Sequence, residues 1–200
     1  MTRRAASARL VNQVGESDHA LGPETAFVTL VEYGDYQCPA CGQAYPIVKE
    51  LLARLGQRVR FVFRNFPLAT VHPYAEGAAE AAEAAGVQGR FWDMHDVLFE
   101  HQEALGGEDL VAYGSALGLS ESRFVRELTE HVHAARVRED FKGGVRSGVN
   151  GTPTFFINDW RHDGSFDLDS LLGAVEAEIG TATDRNGLEN SSHYQRRRAR

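Results

Sequence analysis

The sequence predicts an α/β domain whose two β-containing halves are separated by an inserted α-helical subdomain. In the first half, a β-prone apolar run, an amphipathic helical pattern and a second β-prone run follow one another over residues 27–63. Residues 71–147 then carry helical patterns alone. The β signal returns at Thr154–Ile157, and a last helical pattern covers residues 168–179.

The composition fits a single globular domain. The 200 residues are 42% hydrophobic, which is enough to build a core. A net charge of -7 gives no basic field, so no nucleic-acid partner is expected. No run approaches the roughly 20 apolar residues that span a bilayer, so no membrane span is expected. Arg3 and Arg4 precede no apolar signal segment, and a cytoplasmic location is therefore expected.

The first half begins after a polar segment, residues 1–22, that we expect to be a flexible arm. Phe27–Val31 is nearly continuous in apolar residues, as is typical of a strand buried on both faces. A second strand is predicted at Val59–Phe63. Between the two, residues 41–55 place their apolar side chains on one helical face. This β-α-β unit opens a domain predicted to span residues 23–180.

The inserted subdomain and the second half follow the same logic. Within residues 71–147, alanine-rich and amphipathic patterns predict several helices, and Gly143 and Gly144 are expected to end one of them. The strand at Thr154–Ile157 and the helix after it complete the domain. Residues 181–200 are polar and basic, and we expect them to be a disordered tail.

Two cysteines carry the strongest chemical signal. They lie as Cys38-Pro39-Ala40-Cys41 between a predicted buried strand and a predicted helix, which is the arrangement that thiol-disulfide exchange requires. The free N–H groups and positive dipole end of that helix favour a thiolate at Cys38, the predicted nucleophile. Cys41 lies one turn deeper and is predicted to resolve the mixed disulfide. The pair would then form a redox-active disulfide.

Two structural interpretations of the cysteines compete with this one. A zinc site needs a second ligand pair, and His131 and His133 are two positions apart on a predicted helix, where they would point in different directions. No metal is therefore expected. Two inert buried thiols would also fit a lone Cys-x-x-Cys pattern, and this alternative stays open on that pattern alone.

A second motif, Gly151-Thr152-Pro153-Thr154, stands immediately before the returning strand. Taken alone, it is best explained as a turn proline that starts a strand. Together with the cysteine motif, the chain resembles the DsbA-like thioredoxin-fold family over about residues 26–179. The specific matches are the segments Val31–Cys41 and Gly148–Ile157.

The resemblance implies a thioredoxin fold with a cis peptide bond between Thr152 and Pro153, facing the cysteines. Thr152 and Pro153 would then bind substrate, because the turned Thr152 backbone offers N–H and C=O groups to an extended polypeptide. The helical subdomain would cap the active-site face. The resemblance implies no cofactor, and its implied partners are cysteine-containing protein substrates and an unidentified redox partner.

Glu32 interrupts an apolar strand six positions before Cys38. A buried acid matches this position in the family, so the resemblance implies that Glu32 has a raised pKa and accepts a proton from Cys41. The alternative is a solvated glutamate at a strand end. Ala40 brings no polar side chain to Cys38, and we therefore predict a less oxidising disulfide than that of DsbA.

The predicted function is that of a protein dithiol-disulfide oxidoreductase, with its direction as oxidase, reductase or isomerase left open. Glutathione-linked chemistry, as in glutaredoxins or kappa-type glutathione transferases, is a second hypothesis. The large helical insertion favours the DsbA-like interpretation over a small glutaredoxin. A non-catalytic peptide-binding or chaperone module on the same fold is the third hypothesis.

Overall fold

A five-stranded mixed sheet forms the centre of the computed structural model, which describes residues 8–198 and the side chains of residues 8–184. The strands are β1 (His19–Leu21), β2 (Val28–Gly34), β3 (Val59–Asn65), β4 (Thr154–Ile157) and β5 (Trp160–Arg161). Their order is β1-β3-β2-β4-β5. β2 and β3 are parallel, and the other neighbouring pairs are antiparallel.

The helices surround this sheet and account for the predicted insertion. They are α1 (Pro39–Leu55), α2 (Ala75–Gly86), α3 (Phe91–Glu100), α4 (Gly107–Ala116), α5 (Glu121–Thr129), α6 (Ala134–Arg146) and α7 (Leu168–Arg198). A short 3-10 helix, Gly56–Arg58, links α1 to β3. Helices α2 to α6 lie between β3 and β4 in the chain, so the predicted α/β fold with a helical insertion is confirmed.

β2 is the central strand, and both of its faces are buried. Leu30 lies on the face that packs against α1 and α7, whereas Val31 and Tyr33 lie on the opposite face with Phe156. β2 ends at Gly34, three residues beyond the predicted end of the strand. Because side chains alternate along a strand, this extension puts Glu32 inside the sheet, on the same face as Leu30.

The segment before β2 differs from the predicted flexible arm over residues 1–22. Leu10 is buried, and its N–H donates to the carbonyl of Asp159 at 2.7 Å. The carboxylate of Asp18 forms an ion pair with the buried guanidinium of Arg64, with 2.7 Å between Oδ1 and Nε. A buried guanidinium needs a charged partner, so this pair anchors the segment to β3. Residues 1–7 of the predicted arm lie outside the described part.

The chain after residue 180 also differs from the predicted disordered tail over residues 181–200, because α7 continues to Arg198. The hydroxyls of Thr181 and Thr183 each donate to the carbonyl one turn earlier, at 2.9 Å. No proline follows Gly180 to stop the helix. Residues 199–200 lie outside the described part.

Helix α6 covers the second face of the sheet and approaches it through a glycine. A Cβ atom on Gly144 would lie 2.6 Å from a ring carbon of Phe66 and 3.0 Å from one of Tyr33. The expectation that Gly143 and Gly144 end a helix is therefore wrong, since both lie within α6. The absence of a side chain at Gly144 is what allows the helix backbone to reach the aromatic face.

Candidate active site

Cys38 and Cys41 lie where β2 gives way to α1, as the sequence predicts. Cys38 is the N-cap residue of α1, and Pro39 follows it at the first helical position, where its missing N–H costs nothing. Both cysteines are free thiols. Cys38 keeps 7% of its surface exposed and Cys41 keeps none, so the site presents one reachable sulfur with a second sulfur behind it.

The two thiols have opposite electrostatic environments. A hydrogen bond from the Cys41 thiol lowers the pKa of Cys38 to about 5, against the opposing effect of burial. The Thr152 side chain and the backbone N–H groups of Cys41 and Ala40 lower this pKa further. Burial raises the pKa of Cys41 well above its usual value. At neutral pH the site therefore holds a Cys38 thiolate beside a protonated Cys41.

The segment before β4 lies against Cys38. The Thr152–Pro153 peptide bond is cis. The Cys38 sulfur lies 3.4 Å from the Thr152 carbonyl oxygen, to which the protonated thiol can donate. The Thr152 hydroxyl is buried and has no hydrogen-bond partner within residues 8–184, so it is free to donate to the thiolate. Thr154 pairs with Tyr33, and this antiparallel pairing brings the segment to the cysteines.

Glu32 lies in the middle of the sheet, between Phe63 of β3 and Phe155 of β4. Its side chain is 3% exposed, so a solvated glutamate at a strand end is excluded. Burial raises the pKa of Glu32 to about 8, and the negative charge on Cys38 adds to the shift. Glu32 in turn raises the pKa of Cys41, which shows that the carboxyl and this thiol are electrostatically coupled.

Asp35 and His72 were not identified from the sequence. The buried Asp35 carboxylate accepts hydrogen bonds from the backbone N–H groups of Gln37 and Leu68, each at 2.8 Å. His72 Nδ1 lies 2.8 Å from the same carboxylate. Asp35 therefore ties the loop after β3 to the loop that carries Cys38. The only local signal for this role was an acidic residue placed directly after an apolar strand.

Gln102 is a second residue that sequence reasoning missed. It follows α3, and its Nε2 donates to the carbonyl oxygens of Tyr36 at 2.8 Å and Cys38 at 2.9 Å. The helical insertion thus reaches back to fix the backbone on both sides of Gln37. No pattern near Gln102 in the sequence predicted this, because its partners are more than sixty positions away.

Exposed apolar side chains lie close to this site. Val71 is 67% exposed and Tyr74 is 53% exposed. The Tyr74 N–H donates to the side-chain oxygen of Gln37 at 2.7 Å, so this apolar surface adjoins the Cys38 loop. An apolar surface beside a reactive sulfur is suited to contact a polypeptide.

Known proteins resemble this chain in sequence and in structure. A family model described as thioredoxin matches residues 15–177. The oxidised BdbD structure from Bacillus subtilis covers 87% of this chain and 97% of its own, with a TM-score of 0.75 and 25% identity. A thioredoxin-like oxidoreductase from Silicibacter pomeroyi covers 82% and 92%, with a TM-score of 0.69 and 27% identity. Alpha-DsbA1 from Wolbachia pipientis, at 18% identity and a TM-score of 0.73, covers 86% and 96% and shows the shared fold.

A further match is to a longer protein, the Na(+)/H(+) antiporter NhaA 1 from Salinispora arenicola. The two are 51% identical over 160 residues, which make up 80% of this chain and 24% of the antiporter. The chain therefore spans about a quarter of the length of the curated relatives it matches. Among the described helices, none has the length and apolar character needed to cross a membrane.

The thioredoxin model covers well over half of the chain, and the sheet, the helical insertion and the cysteine motif agree with it. The chain belongs to the thioredoxin family.

Proposed function

We propose that this protein exchanges disulfides with protein substrates through Cys38 and Cys41. The observation that carries the proposal is the geometry of the pair. Cys38 caps α1 beside the Thr152 carbonyl with a reachable sulfur, and Cys41 lies fully buried one turn behind it. A nucleophile needs access and a resolving thiol needs shelter from other disulfides, and the two sulfurs differ in this respect.

In the reducing direction, the Cys38 thiolate attacks one sulfur of a substrate disulfide. A mixed disulfide forms and one substrate thiolate leaves. Cys41 then loses its proton to the Glu32 carboxylate and attacks the Cys38 sulfur, which releases the second substrate thiolate. Two electrons pass from the cysteine pair to the substrate, and the pair becomes a disulfide. Oxidation of a substrate dithiol is the reverse of these steps.

Thr152 and Pro153 are proposed to hold the substrate backbone during this exchange. The Thr152 carbonyl lies beside the Cys38 sulfur, so a polypeptide paired with Thr152 would present its own sulfur there. The exposed side chains of Val71 and Tyr74 offer apolar contact on the same side of the loop. Cysteine-containing proteins are therefore the proposed substrates.

The similar oxidoreductase structures support a redox function. The match to the Na(+)/H(+) antiporters covers about a quarter of their length, and we propose no ion transport for this chain on that basis. The cytoplasmic location stays a prediction, as does the direction of exchange.

A redox titration tests the proposal. The protein is equilibrated in buffers of defined glutathione ratio, and the oxidised fraction of Cys38 and Cys41 is measured by thiol alkylation and mass. We expect a reversible two-electron couple with a potential below the roughly −120 mV of DsbA, because Ala40 supplies no side-chain donor to Cys38. A value at or above that potential contradicts the reasoning from Ala40.

Cys38→Ser and Cys41→Ser are the matched controls, since each removes one thiol from the pair and should abolish the couple. If the wild-type thiols never form a reversible disulfide, the exchange function is wrong and a peptide-binding module takes its place. Accumulation of a stable glutathione adduct on Cys38 with turnover would instead favour glutathione-linked chemistry.

A further inference from the structure

A cleft of about 340 Å³ lies between α1 and α3, on the face of the sheet to which Glu32 points. We call it the α1–α3 cleft. Its volume is near the lower end of the range for small-molecule sites, which runs from about 300 to 1,000 Å³. It opens at the surface beside Lys49, which is exposed, and Asp96, which is half-buried. The disulfide chemistry proposed above makes no use of this space.

Glu32 supplies a carboxyl group to the wall of the α1–α3 cleft. Glu32 is 3% exposed, and its raised pKa comes from burial and the charge on Cys38, with no hydrogen bond contributing. A buried carboxyl group without a partner costs free energy, and a partner placed in the cleft would recover part of that cost. The group best suited to this carboxyl is a donor that carries positive charge, because it would pair with the ionised form and draw the pKa of Glu32 down from about 8.

Aromatic side chains form much of the remaining wall, chiefly Phe61, Trp92 and Phe99. Aromatic surfaces bury flat apolar groups well, and their ring faces attract cations. His95 also lines the cleft, and burial lowers its pKa to about 3. His95 is therefore neutral and brings no positive charge that would compete for Glu32.

The mouth of the cleft already has its own cation in place. Lys49 Nζ donates to the Tyr45 hydroxyl at 2.8 Å and to an Asp96 oxygen at 3.1 Å. The Tyr45 hydroxyl in turn donates to Glu100 at 3.0 Å. Lys49 is thus held at the rim and leaves Glu32 without a charged partner. Two carboxylates and one ammonium give the mouth a net negative charge, which favours the entry of a cation.

We propose that the α1–α3 cleft binds a small aromatic amine, with its ring against Trp92 and Phe99 and its ammonium group on Glu32. A ligand in this position would occupy the carboxylate that takes the proton of Cys41, and so would slow the resolving step of disulfide exchange. This last consequence rests on the proposed function, whereas the binding itself does not depend on thiol chemistry.

The test titrates the full chain with 2-phenylethylamine and follows the indole signals in ¹H–¹⁵N spectra. The chain has two tryptophans, so Trp92 reports on the cleft and Trp160, in β5, serves as an internal control. We expect a saturable shift of the Trp92 signal alone. The neutral analogue 2-phenylethanol should bind about ten-fold more weakly or worse, because it lacks the charge that pairs with Glu32.

Variants separate the two parts of the site. Glu32→Gln keeps the shape of the side chain but cannot ionise to pair with the ammonium group, and it should weaken amine binding by about ten-fold or more. Glu50→Gln, an exposed site on α1 that pairs with Arg54, is the matched control and should leave the affinity unchanged. Leu52→Phe fills the cleft without touching Glu32 and should also weaken binding.

Equal affinity of wild type and Glu32→Gln, or equal binding of the amine and the alcohol, would overturn the proposal. So would a Trp92 signal that does not move. The Cys38→Ser and Cys41→Ser variants should still bind the amine saturably, because neither cysteine lines the cleft. Loss of exchange with retained amine binding would then count against the proposed function alone, and loss of binding with retained exchange against the cleft alone.

Discussion

Cys38 and Cys41 belong to one turn of one helix, yet their thiol pKa values move in opposite directions. The Cys38 sulfur accepts hydrogen bonds from Cys41, Thr152 and the N-terminus of the helix, and these stabilise the thiolate. Cys41 is fully buried, and this burial outweighs the one hydrogen bond that its sulfur accepts, from the Asp35 N–H at 3.5 Å. The difference in chemistry between two identical side chains therefore comes from their neighbours and not from the motif itself.

Glu32 gives the first prediction at the scale of residues. Glu32→Gln should slow the attack of Cys41 on the mixed disulfide by about ten-fold or more, because the acceptor for the Cys41 proton is lost. The wild-type rate of this step should rise as the pH approaches about 8, where Glu32 becomes ionised, and the variant should lack this rise. Rapid acid quenching of a Cys38–peptide mixed disulfide measures the step. An unchanged rate and pH profile would discard the role of Glu32.

Gln102 gives the second prediction. Gln102→Ala removes the donor to the carbonyls of Tyr36 and Cys38, so the loop should become less ordered. The protein should lose about 1–2 kcal/mol of stability. The pKa of Cys38 should move upward from about 5 toward its ordinary value, because the donors to the thiolate are positioned by this loop. The pH dependence of Cys38 alkylation measures the shift.

A purely structural role for Gln102 would lower stability and leave that pH profile where it is in the wild type. Gln43→Ala provides the matched control, since Gln43 is exposed on α1, and it should alter neither quantity.

At the scale of elements, α1, α6 and α7 meet the sheet in different ways. α1 and α7 pack with apolar side chains such as Leu51 and Leu171. α6 instead brings its backbone to the rings of Phe66 and Tyr33 at Gly144. The effect of a glycine on stability should therefore depend on what the helix faces at that position.

Two glycine substitutions should show this difference. Gly144→Ala should destabilise the protein by about 1–3 kcal/mol, because the added Cβ overlaps the Phe66 ring. Gly173→Ala, on the exposed side of α7 with nothing within 4 Å, should stabilise it by roughly 0.5–1 kcal/mol through helix propensity. Chemical denaturation of wild type and both variants measures the two changes in the free energy of unfolding. The same sign of effect in both would refute the assignment of Gly144 as a close-packing position.

At the scale of the whole molecule, the titrating site couples stability to redox state and pH. The pKa of Glu32 is raised from 4.5 to about 8, so its contribution to stability is full at low pH and is lost as the pH rises through about 8. The pKa of Cys38 is lowered from 9.0 to about 5, so its contribution is full at high pH and is lost as the pH falls through about 5. In the thiol form the two dependences oppose each other.

In the disulfide form Cys38 does not titrate, and the burial that raises the pKa of Glu32 remains. The unfolding free energy of Glu32→Gln, relative to wild type, should therefore increase between about pH 5 and about pH 8. Chemical denaturation of oxidised wild type and oxidised Glu32→Gln across this pH range measures the difference in unfolding free energy. Glu50→Gln should show no such trend, and a trend equally absent in Glu32→Gln would mean that Glu32 is not protonated in the folded protein.

Much of this molecule could be predicted from local sequence. The apolar run before Cys38, the helical rhythm after Cys41 and the Thr152-Pro153 motif before β4 each depend on residues within a few positions of one another. Such short-range patterns report strand burial, helix faces and turns directly. They were sufficient to predict the α/β order, the helical insertion and the position of the cysteine pair.

Only the tertiary structure decided the rest. Leu10 and Asp18 pack on the sheet although the segment around them is polar. The local sequence could not predict this packing, because Arg64 and the sheet face that this segment covers lie far along the chain. Gln102 and His72 contact the cysteine loop from the insertion, and their partners there are likewise distant in sequence. The pKa of Glu32 depends on which groups surround it, and a sequence shows neighbours along the chain but not burial or partners in space.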